Sequence, residues 1–423
     1  MESNQLTFGQ LSVWRNLMTL PRRTWTSTIL SSLTELPGCT SGDVMTALGA
    51  LCQRHEGLRT SFVETAGAVE QVVHPNPDGA VEIIAVDGYD DVERLTRELR
   101  STPFTLTGDF GWRAYVMRMA RRRTYVALAM QHIIVDRWAL QILLEELRNE
   151  LTSPSPNLRP DLPLSGLARQ QRSAEWSRQR AQAKSYWQRV ADEFGGITAT
   201  GRYGDRRVRG SIDLPSAPAV VSEVSRVCGA SAQSVMLALV ALGIHASDGR
   251  DQFVIHLIAA NRYRPTWRGL ITSMAQSIPI GVTIDPGSTF VDLARTMSLR
   301  SLQGLRNGCY DVDEVAELAV RVSGGRRWEY VYNHLAAPWS DMNGAVVPSG
   351  VRAGPVIGPS SRPSIADMYC IVPRSEIPAL EFHVDASRCS DKRLRRMLVG
   401  STQVLRALAK HPSMHVGELS DLY

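Results

Sequence analysis

Apolar residues along this chain follow two periods, one typical of helices and one typical of strands. A helix capped by Ser41 or Asp43 is predicted by the apolar stripe Val44, Ala47, Leu48 and Leu51, and Gly57 marks its end. Residues 92 to 99 predict a short amphipathic helix, and the segments VEQVVH and VEIIAV predict strands. This mixture predicts an α/β or α+β fold.

The most informative stretch begins with two apolar, partly alternating runs, WRAYVMRMA and TYVALAM, on either side of an arginine-rich turn. Together they predict a β-hairpin. The second run continues into QHIIVD, and a helix is predicted from about Arg137 by the spacing of Leu140, Leu143, Leu144, Leu147 and Leu151. Asp136 then occupies the N-cap position, where a carboxylate accepts backbone N–H groups.

The second half repeats the mixed pattern. Residues 152 to 164 are rich in serine and proline and predict a loop, followed by a polar helix over residues 167 to 193 with Trp176 and Trp187 as anchors. We place a boundary between two lobes here, as residues 1–175 and 176–423. Helical patterns predict a helix at 232–245 and a final helix at 392–410. The segments FVIHLIAA and ALEFHVD predict strands, and the apolar segment SIPIGVTI lies between them.

Length and composition limit the classes of protein. The 423 residues are too many for one ordinary core, which agrees with two lobes. No run of about 18 apolar residues predicts a membrane span, and the first residues lack the features of a signal peptide, so a cytoplasmic location is expected. The six cysteines are scattered without a C-x-x-C pair, which argues against a zinc site or a disulfide framework.

The net charge of +5 comes from arginines that cluster at 118–124, 205–210 and 324–328. These clusters are either solvated turns or a docking surface for an acidic partner. Nucleic acid is the weaker expectation, because no aromatic residues are interleaved and no nucleic-acid-binding motif is present.

His132 is the candidate for chemistry, since it lies where a strand ends and a helix begins. A neutral imidazole there can accept a proton from a nucleophile or orient it. Spacing alone leaves open a purely structural histidine beside a helix cap. No G-x-S-x-G element supports a serine triad, and no further ligands cluster here for a metal.

These residues also resemble a known family. QHIIVDRW is similar to the His-His-x-x-x-Asp-Gly signature of nonribosomal peptide synthetase condensation domains, which chloramphenicol acetyltransferase-like acyltransferases share. LTFGQLSVW resembles the family's N-terminal Ser/Thr-x-x-Gln-x-x-x-Trp element, RHEGLRTSF its Arg-His-Glu segment, and SYWQRVADEFG its tyrosine–tryptophan segment. IAANRYRP and GLITSMAQSIPI resemble the Asn-Arg element and the floor loop, and all of these occur in the family's order.

The resemblance implies two chloramphenicol acetyltransferase-like lobes in a V-shaped arrangement with a central tunnel. His132 matches the catalytic histidine and would act as general base or would position the nucleophile and the tetrahedral intermediate. Asp136 matches the motif aspartate, which would pair with Arg262 and orient His132 rather than transfer protons.

Three positions depart from the family pattern. Gln131 replaces the first, mainly structural histidine and keeps a hydrogen-bonding side chain. Arg137 replaces a glycine; pointing inward, beside Trp138, it would bind a substrate carboxylate or phosphate or narrow the tunnel, and pointing outward it would be an ordinary surface residue. We favour the inward orientation. In the floor loop, Ser273 stands where a bulkier residue is usual and Gln276 where an asparagine is usual. Together with Gln131 and Trp138, they are further candidates for substrate contact or tunnel gating.

The leading expectation is a free-standing condensation enzyme of specialised metabolism. It would transfer an acyl or aminoacyl group from the phosphopantetheine of an acidic carrier protein, met in trans, to a small-molecule amine or hydroxyl, without a bound cofactor. A coenzyme A donor is a variant. The alternatives are a non-catalytic relative that recruits enzymes to a carrier-bound peptide, and altered chemistry such as epimerisation or cyclisation.

Overall fold

A computed structural model describes residues 2–65, 68–75, 80–120, 123–153, 160, 162–196, 206–324, 328–335, 351–352, 354–360 and 366–423. By internal contacts the chain divides into two units. The first comprises Met1–Ala181, Ala260–Gln276 and Cys309–Val312, and the second comprises Gln182–Ala259, Ser277–Gly308 and Asp313–Tyr423. The sequence-based boundary at 175/176 lies six residues before the first of these transitions, and it did not anticipate the two segments that return to the first unit.

The first half of the chain contains strands β1 (Glu2–Gln5), β2 (Ile29–Pro37), β3 (Thr60–Thr65), β4 (Ala68–Val73), β5 (Val81–Ala85), β6 (Trp112–Met119) and β7 (Arg123–Gln131). Its helices are α1 (Phe8–Thr19), α2 (Ser41–Arg54), α3 (Tyr89–Ser101), α4 (Arg137–Thr152), α5 (Leu164–Arg172) and α6 (Ser177–Phe194).

The main sheet of the first unit has the order β2-β7-β6-β5, and a smaller sheet has the order β1-β4-β3. Strands β6 and β7 pair antiparallel, which confirms the predicted hairpin. Helix α3 packs on one face of the main sheet, while α2 and α4 share a second core with its other face. Strand β7 is therefore buried along nearly its whole length, which explains its near-continuous apolar sequence.

The second half contains strands β8 (Arg207–Asp213), β9 (Gln252–Ala259), β10 (Gln276–Thr283), β11 (Trp328–His334), β12 (Val356–Pro359), β13 (Ala366–Val372) and β14 (Ala379–Asp385). Its helices are α7 (Ala217–Cys228), α8 (Ala232–Asp248), α9 (Pro265–Arg268), α10 (Phe290–Arg306), α11 (Ala316–Ser323), α12 (Asp391–Leu408) and α13 (Val416–Ser420). The strands form one sheet in the order β10-β9-β11-β13-β14-β8-β12. Helix α8 packs among α7, α10 and α12 and is buried over most of its length.

Three local predictions need correction. The cap of α2 is Thr40, while Ser41 is the first helical residue and Asp43 completes the capping box by accepting from the amide of Thr40 at 2.8 Å. The predicted helix over 167–193 is broken near Ser173, whose extended backbone ends α5 before α6 begins. The predicted final helix, observed as α12, is followed by the short helix α13. Trp176 and Trp187 are buried anchors, as expected.

Among the residues with described structure, no single helix has the length and apolar composition needed to cross a membrane. Helices α7 and α8 satisfy that test only as a pair, and they are bent by 104° at the break between them.

Candidate active site

His132 lies in the short connection between β7 and α4, within the first unit. The connection is anchored by Ile133, Ile134 and Val135, whose side chains are all buried in the core shared by α2 and α4. Asp136 ends it as the N-cap of α4, accepting from the amide of Ala139 at 2.8 Å. Both the helix start and the cap expected from the sequence are confirmed.

Gln131 fixes the backbone directly before the histidine. Its buried side-chain Oε1 accepts a hydrogen bond from the His132 amide at 2.7 Å and one from Thr28 Oγ1 at 2.8 Å. Because the same oxygen binds Thr28, directly before β2, and the His132 amide, the glutamine side chain fixes the position of the His132 backbone. These contacts give Gln131 a structural task within the first unit.

The His132 ring is half-buried, in contrast to the fully buried residues on both sides of it. Its Nδ1 lies 3.5 Å from Ser273 Oγ, which is at the long end for a hydrogen bond. Ser273 is itself completely buried. The contact is a weak constraint on the ring from the side of the floor loop.

Asp136 and Arg262 form a buried ion pair, with side-chain exposures of 2% and 1%. Arg262 Nη2 lies 3.1 Å from Oδ1 and 3.2 Å from Oδ2 of the aspartate. The amide of Met274 donates a further hydrogen bond to Oδ2 at 2.9 Å. A buried carboxylate surrounded by this many donors is held in place, and it braces the structure.

The same arginine organises residues 267–274, which include the first part of the floor loop. Its guanidinium donates to the carbonyl oxygens of Trp267, Arg268, Leu270 and Thr272, at distances between 2.8 and 3.3 Å. Asn261 precedes it with a φ of 56°, a left-handed conformation that asparagine tolerates better than most residues. The Asn261 side chain donates to the Met274 carbonyl at 2.9 Å. The loop therefore closes around the Asn261–Arg262 pair.

Gly9 and Gly57, which lie in two of the family-like motifs, allow the floor loop to pack closely against their backbone. A Cβ placed on Gly9 would lie 2.3 Å from the Ser273 carbonyl oxygen, and one on Gly57 would lie 1.9 Å from the Ile271 carbonyl oxygen. Neither distance is sterically possible, so these positions require glycine for close backbone contact. Sequence reasoning missed this role, although both glycines stand in motifs that it quoted.

Gln276 is buried and holds another part of the chain. Its Nε2 donates to the Tyr310 carbonyl at 2.8 Å, and its Oε1 accepts from the Tyr310 amide at 3.4 Å. This reciprocal pair explains why the segment Cys309–Val312 belongs to the first unit. The observed contacts give Gln276 a structural task, and its contact with substrate stays a prediction.

Arg137 and Trp138 occupy the first turn of α4 and are both exposed. Trp138 Nε1 donates to the Arg268 carbonyl at 3.3 Å, and its ring lines a groove of about 380 Å³ together with Ile142 and Glu145. Within the described part of the chain, no carboxylate pairs with Arg137. Arg137 is exposed, and its inward orientation toward His132 stays a prediction.

The Arg-His-Glu segment is structural. Arg54 contacts Glu146 and Glu150 of α4 at 2.9 and 2.7 Å, and His55 Nε2 lies 2.8 Å from Glu146 Oε2. These contacts join the end of α2 to the helix that follows the His132 connection. They fix the second half of α4 relative to the end of α2.

The arginine clusters fall only partly on described residues, since 121–122, 205 and 325–327 lie outside them. Arg123 pairs with Glu35 at 2.9 Å and Arg209 with Glu381 at 2.5 Å. Arg207 and Arg209 lie on strand β8, so the interpretation of that cluster as a solvated turn was wrong.

Comparison with known proteins places this geometry in a family. Residues 34–323, more than half of the chain, match the model of the condensation domain. The beauvericin nonribosomal cyclodepsipeptide synthetase of Beauveria bassiana is 26% identical over 305 residues, covering 66% of this chain and 9% of that synthetase. The chain thus spans a small part of the length of this curated relative.

Two solved structures show the same fold. The condensation domain of the monacolin K polyketide synthase MokA aligns with a TM-score of 0.79 at 16% identity, over 98% of this chain and 99% of that chain. A chain in the complex of the X-domain and OxyB from teicoplanin biosynthesis aligns with a TM-score of 0.76 at 17% identity, over 100% and 96%. The mixed helix-and-sheet fold is the chloramphenicol acetyltransferase-like fold of these domains. This chain therefore belongs to the condensation-domain family.

Proposed function

We propose that this chain is an acyltransferase that moves an acyl or aminoacyl group from a carrier-protein thioester to an amine, or less commonly a hydroxyl. The observation that carries the proposal is a half-buried His132 whose backbone and ring are each held by a buried neighbour, Gln131 and Ser273. Such a site offers one accessible imidazole in a fixed position, which is what proton transfer to or from a bound nucleophile requires.

In the proposed reaction, neutral His132 accepts a proton from the acceptor nitrogen as that nitrogen attacks the thioester carbon. The C–N bond forms, a tetrahedral intermediate collapses, and the C–S bond breaks. The histidine returns the proton to the departing thiolate, so it ends neutral. Asp136 and Arg262 take no part in the proton transfer, since the carboxylate oxygens and the two Nη atoms are committed to each other and to backbone groups of the floor loop. Their task is to keep Ser273 and His132 in place.

The donor in this proposal is a thioester on the phosphopantetheine arm of an acidic carrier protein, with a coenzyme A thioester as the variant. The net charge of +5 supports an acidic partner. Arg118 and Arg206, which come from two of the arginine clusters, are exposed on the surface.

Recruitment of a partner enzyme is the second candidate function. It is favoured by the structural likeness to a chain from the complex of the X-domain and OxyB. The accessible and well-braced His132 favours transfer instead.

The two functions are separated by offering carrier-loaded and coenzyme A donors with a panel of amines to wild type and His132→Ala. Product is read by mass spectrometry and carrier binding by calorimetry. We expect product with the wild type, loss of product with His132→Ala, and unchanged carrier binding. His411→Ala, which alters an exposed histidine in the second unit, is the matched control and should behave as wild type. Carrier binding without product from any donor and amine pair would favour recruitment.

A further inference from the structure

A second chain of polar side chains lies in the second unit, far along the sequence from His132. Ser360 Oγ is 2.7 Å from His383 Nδ1, and His383 Nε2 is 2.5 Å from Glu381 Oε1. The order hydroxyl, imidazole, carboxylate is the arrangement that activates a serine nucleophile on many unrelated folds.

Strand pairing brings the three groups together. Strands β12 and β14 flank β8, and Arg209 of β8 pairs with His383 on one side and with Gly358 on the other. Because side chains alternate along a strand, Ser360, two residues after Gly358, lies on the same face as that glycine. Helix α12 covers the opposite face, where Gly210 closely approaches Leu394. The group therefore lies on the face that α12 leaves uncovered.

The proton positions follow from the carboxylate. Burial would raise the pKa of Glu381, but hydrogen bonds from His383 and Arg209 lower it to about 2, so the group is ionised at neutral pH. An ionised carboxylate only accepts hydrogen bonds, and so His383 Nε2 must carry a proton and donate it. When the ring is neutral, Nδ1 holds a lone pair to which the Ser360 hydroxyl donates. The hydroxyl is thus polarised toward loss of its proton.

Ser360 is the more accessible member of the pair, since it is half-buried whereas His383 is buried. A Cβ placed on Gly358 meets no atom of the described residues within 4 Å. The half-exposed guanidinium of Arg209 adds a positive charge next to the carboxylate end of the group.

We propose that Ser360 is an activated nucleophile that takes an acyl group from an electron-poor ester or thioester, at a site separate from His132. The Ser360 Oγ would attack the carbonyl carbon while its proton passes to His383 Nδ1. The new C–O bond forms, the bond to the leaving oxygen or sulfur breaks, and His383 returns the proton to the leaving group. Water would then release the acyl group: it gives a proton to His383 Nδ1 and attacks the acyl carbon, the C–O bond to Ser360 breaks, and the Ser360 oxygen takes the proton back.

The test uses the full chain and an alkyl fluorophosphonate, which forms a P–O bond with an activated serine and releases fluoride. Adducts are located by peptide mass mapping, and labelling rates are compared between variants. We expect an adduct on Ser360 in the wild type and none at that peptide in Ser360→Ala. In His383→Gln the labelling rate should fall by roughly 100-fold or more, because the general base is removed. Glu381→Gln should also slow labelling, because an amide no longer requires His383 Nε2 to be the donor.

Ser61 provides the matched control within the chain. Its Oγ lies 2.7 Å from His74 Nε2, yet Ser61 is buried, and no carboxylate among the described residues contacts that histidine. We expect no adduct on Ser61. Absence of an adduct on Ser360, or equal labelling of Ser360 in wild type, His383→Gln and Glu381→Gln, would overturn the proposal and leave the group as a static network that satisfies a buried histidine.

Discussion

Arg262 donates through one nitrogen to both carboxylate oxygens of Asp136, at 3.1 and 3.2 Å, and both side chains are almost completely buried. The pair joins residues 126 positions apart in sequence. One partner starts helix α4 and the other gathers the carbonyl groups of the floor loop. The position of His132 between β7 and α4 thus depends on a contact with a distant part of the chain.

Removing one member of this pair should destabilise the first unit. Asp136→Asn and Arg262→Met each leave a buried group without its charge partner, which typically costs about 3–5 kcal/mol. Denaturant unfolding monitored by tryptophan fluorescence measures the change. Arg226→Ala, which breaks the exposed Arg226–Glu223 contact, is the control and should leave the unfolding midpoint unchanged. Equal midpoints for all three variants would contradict the bracing role.

The glycines beneath the floor loop should be intolerant of a methyl group. Gly9→Ala and Gly57→Ala force the backbone carrying Ser273 or Ile271 to move, so we expect acyl transfer at saturating substrate to fall about 10-fold or more. Gly49→Ala is the matched control, because Gly49 lies inside α2 with no described atom within 4 Å of a Cβ there. That change should leave transfer unchanged and stabilise the helix by about 0.5–1 kcal/mol. Wild-type rates in Gly9→Ala and Gly57→Ala would be incompatible with the close packing.

Asp367 makes stability depend on pH. Burial raises the pKa of this carboxyl from its usual value of 3.8 to about 6, although Arg388 opposes the shift. The folded state then holds a proton that the unfolded state has lost, so this group lowers stability as pH rises through the interval from about 4 to 6. Asp367→Asn should remove that loss and be more stable than wild type at pH 7, by about 1 kcal/mol or more, but not at pH 3.5. Melting curves of wild type and Asp367→Asn at the two pH values measure this difference. If the stability of the variant depends on pH as that of the wild type does, Asp367 is not the responsible group.

Arg137 is expected to select acceptors that carry a negative charge. Its guanidinium is exposed in the first turn of α4 and has no acidic partner among the described residues. Arg137→Ala should reduce the ratio of kcat/KM for an acidic acceptor to that for its neutral analogue by about 10-fold, the equivalent of one charge-assisted hydrogen bond. Arg148→Ala, at an exposed position later in the same helix, should leave the ratio unchanged. The same ratio in wild type and Arg137→Ala would show that the arginine is an ordinary surface residue.

Local signals explain which parts of the site were predictable. The hairpin, the start of α4 and the Asp136 cap each depend on residues within a few positions of one another, and all three were predicted correctly. The Asp136–Arg262 contact was expected only because the family resemblance linked two distant motifs. Residue pattern alone carries no information about a pair so far apart in sequence.

The remaining features depend on long-range packing. Gln276 was expected to contact substrate or gate the tunnel, and its amide binds the Tyr310 backbone. No periodic pattern in the sequence shows which of these contacts a glutamine makes. Gly9 and Gly57 meet the floor loop only after folding, so their need for a missing side chain is visible only in three dimensions. The break at Ser173 was missed because the sequence on both sides is equally helical in character.

The central claim is that His132 accepts the proton of the attacking nucleophile and returns it to the leaving thiolate, while its neighbours only position the histidine. The most direct measurement is the single-turnover rate of product formation from a loaded carrier and a saturating amine, for wild type and His132→Gln, with carrier binding measured alongside. Loss of a general base predicts a rate lower by about 10²–10⁴-fold with unchanged carrier binding. A His132→Gln rate equal to that of wild type would contradict the account.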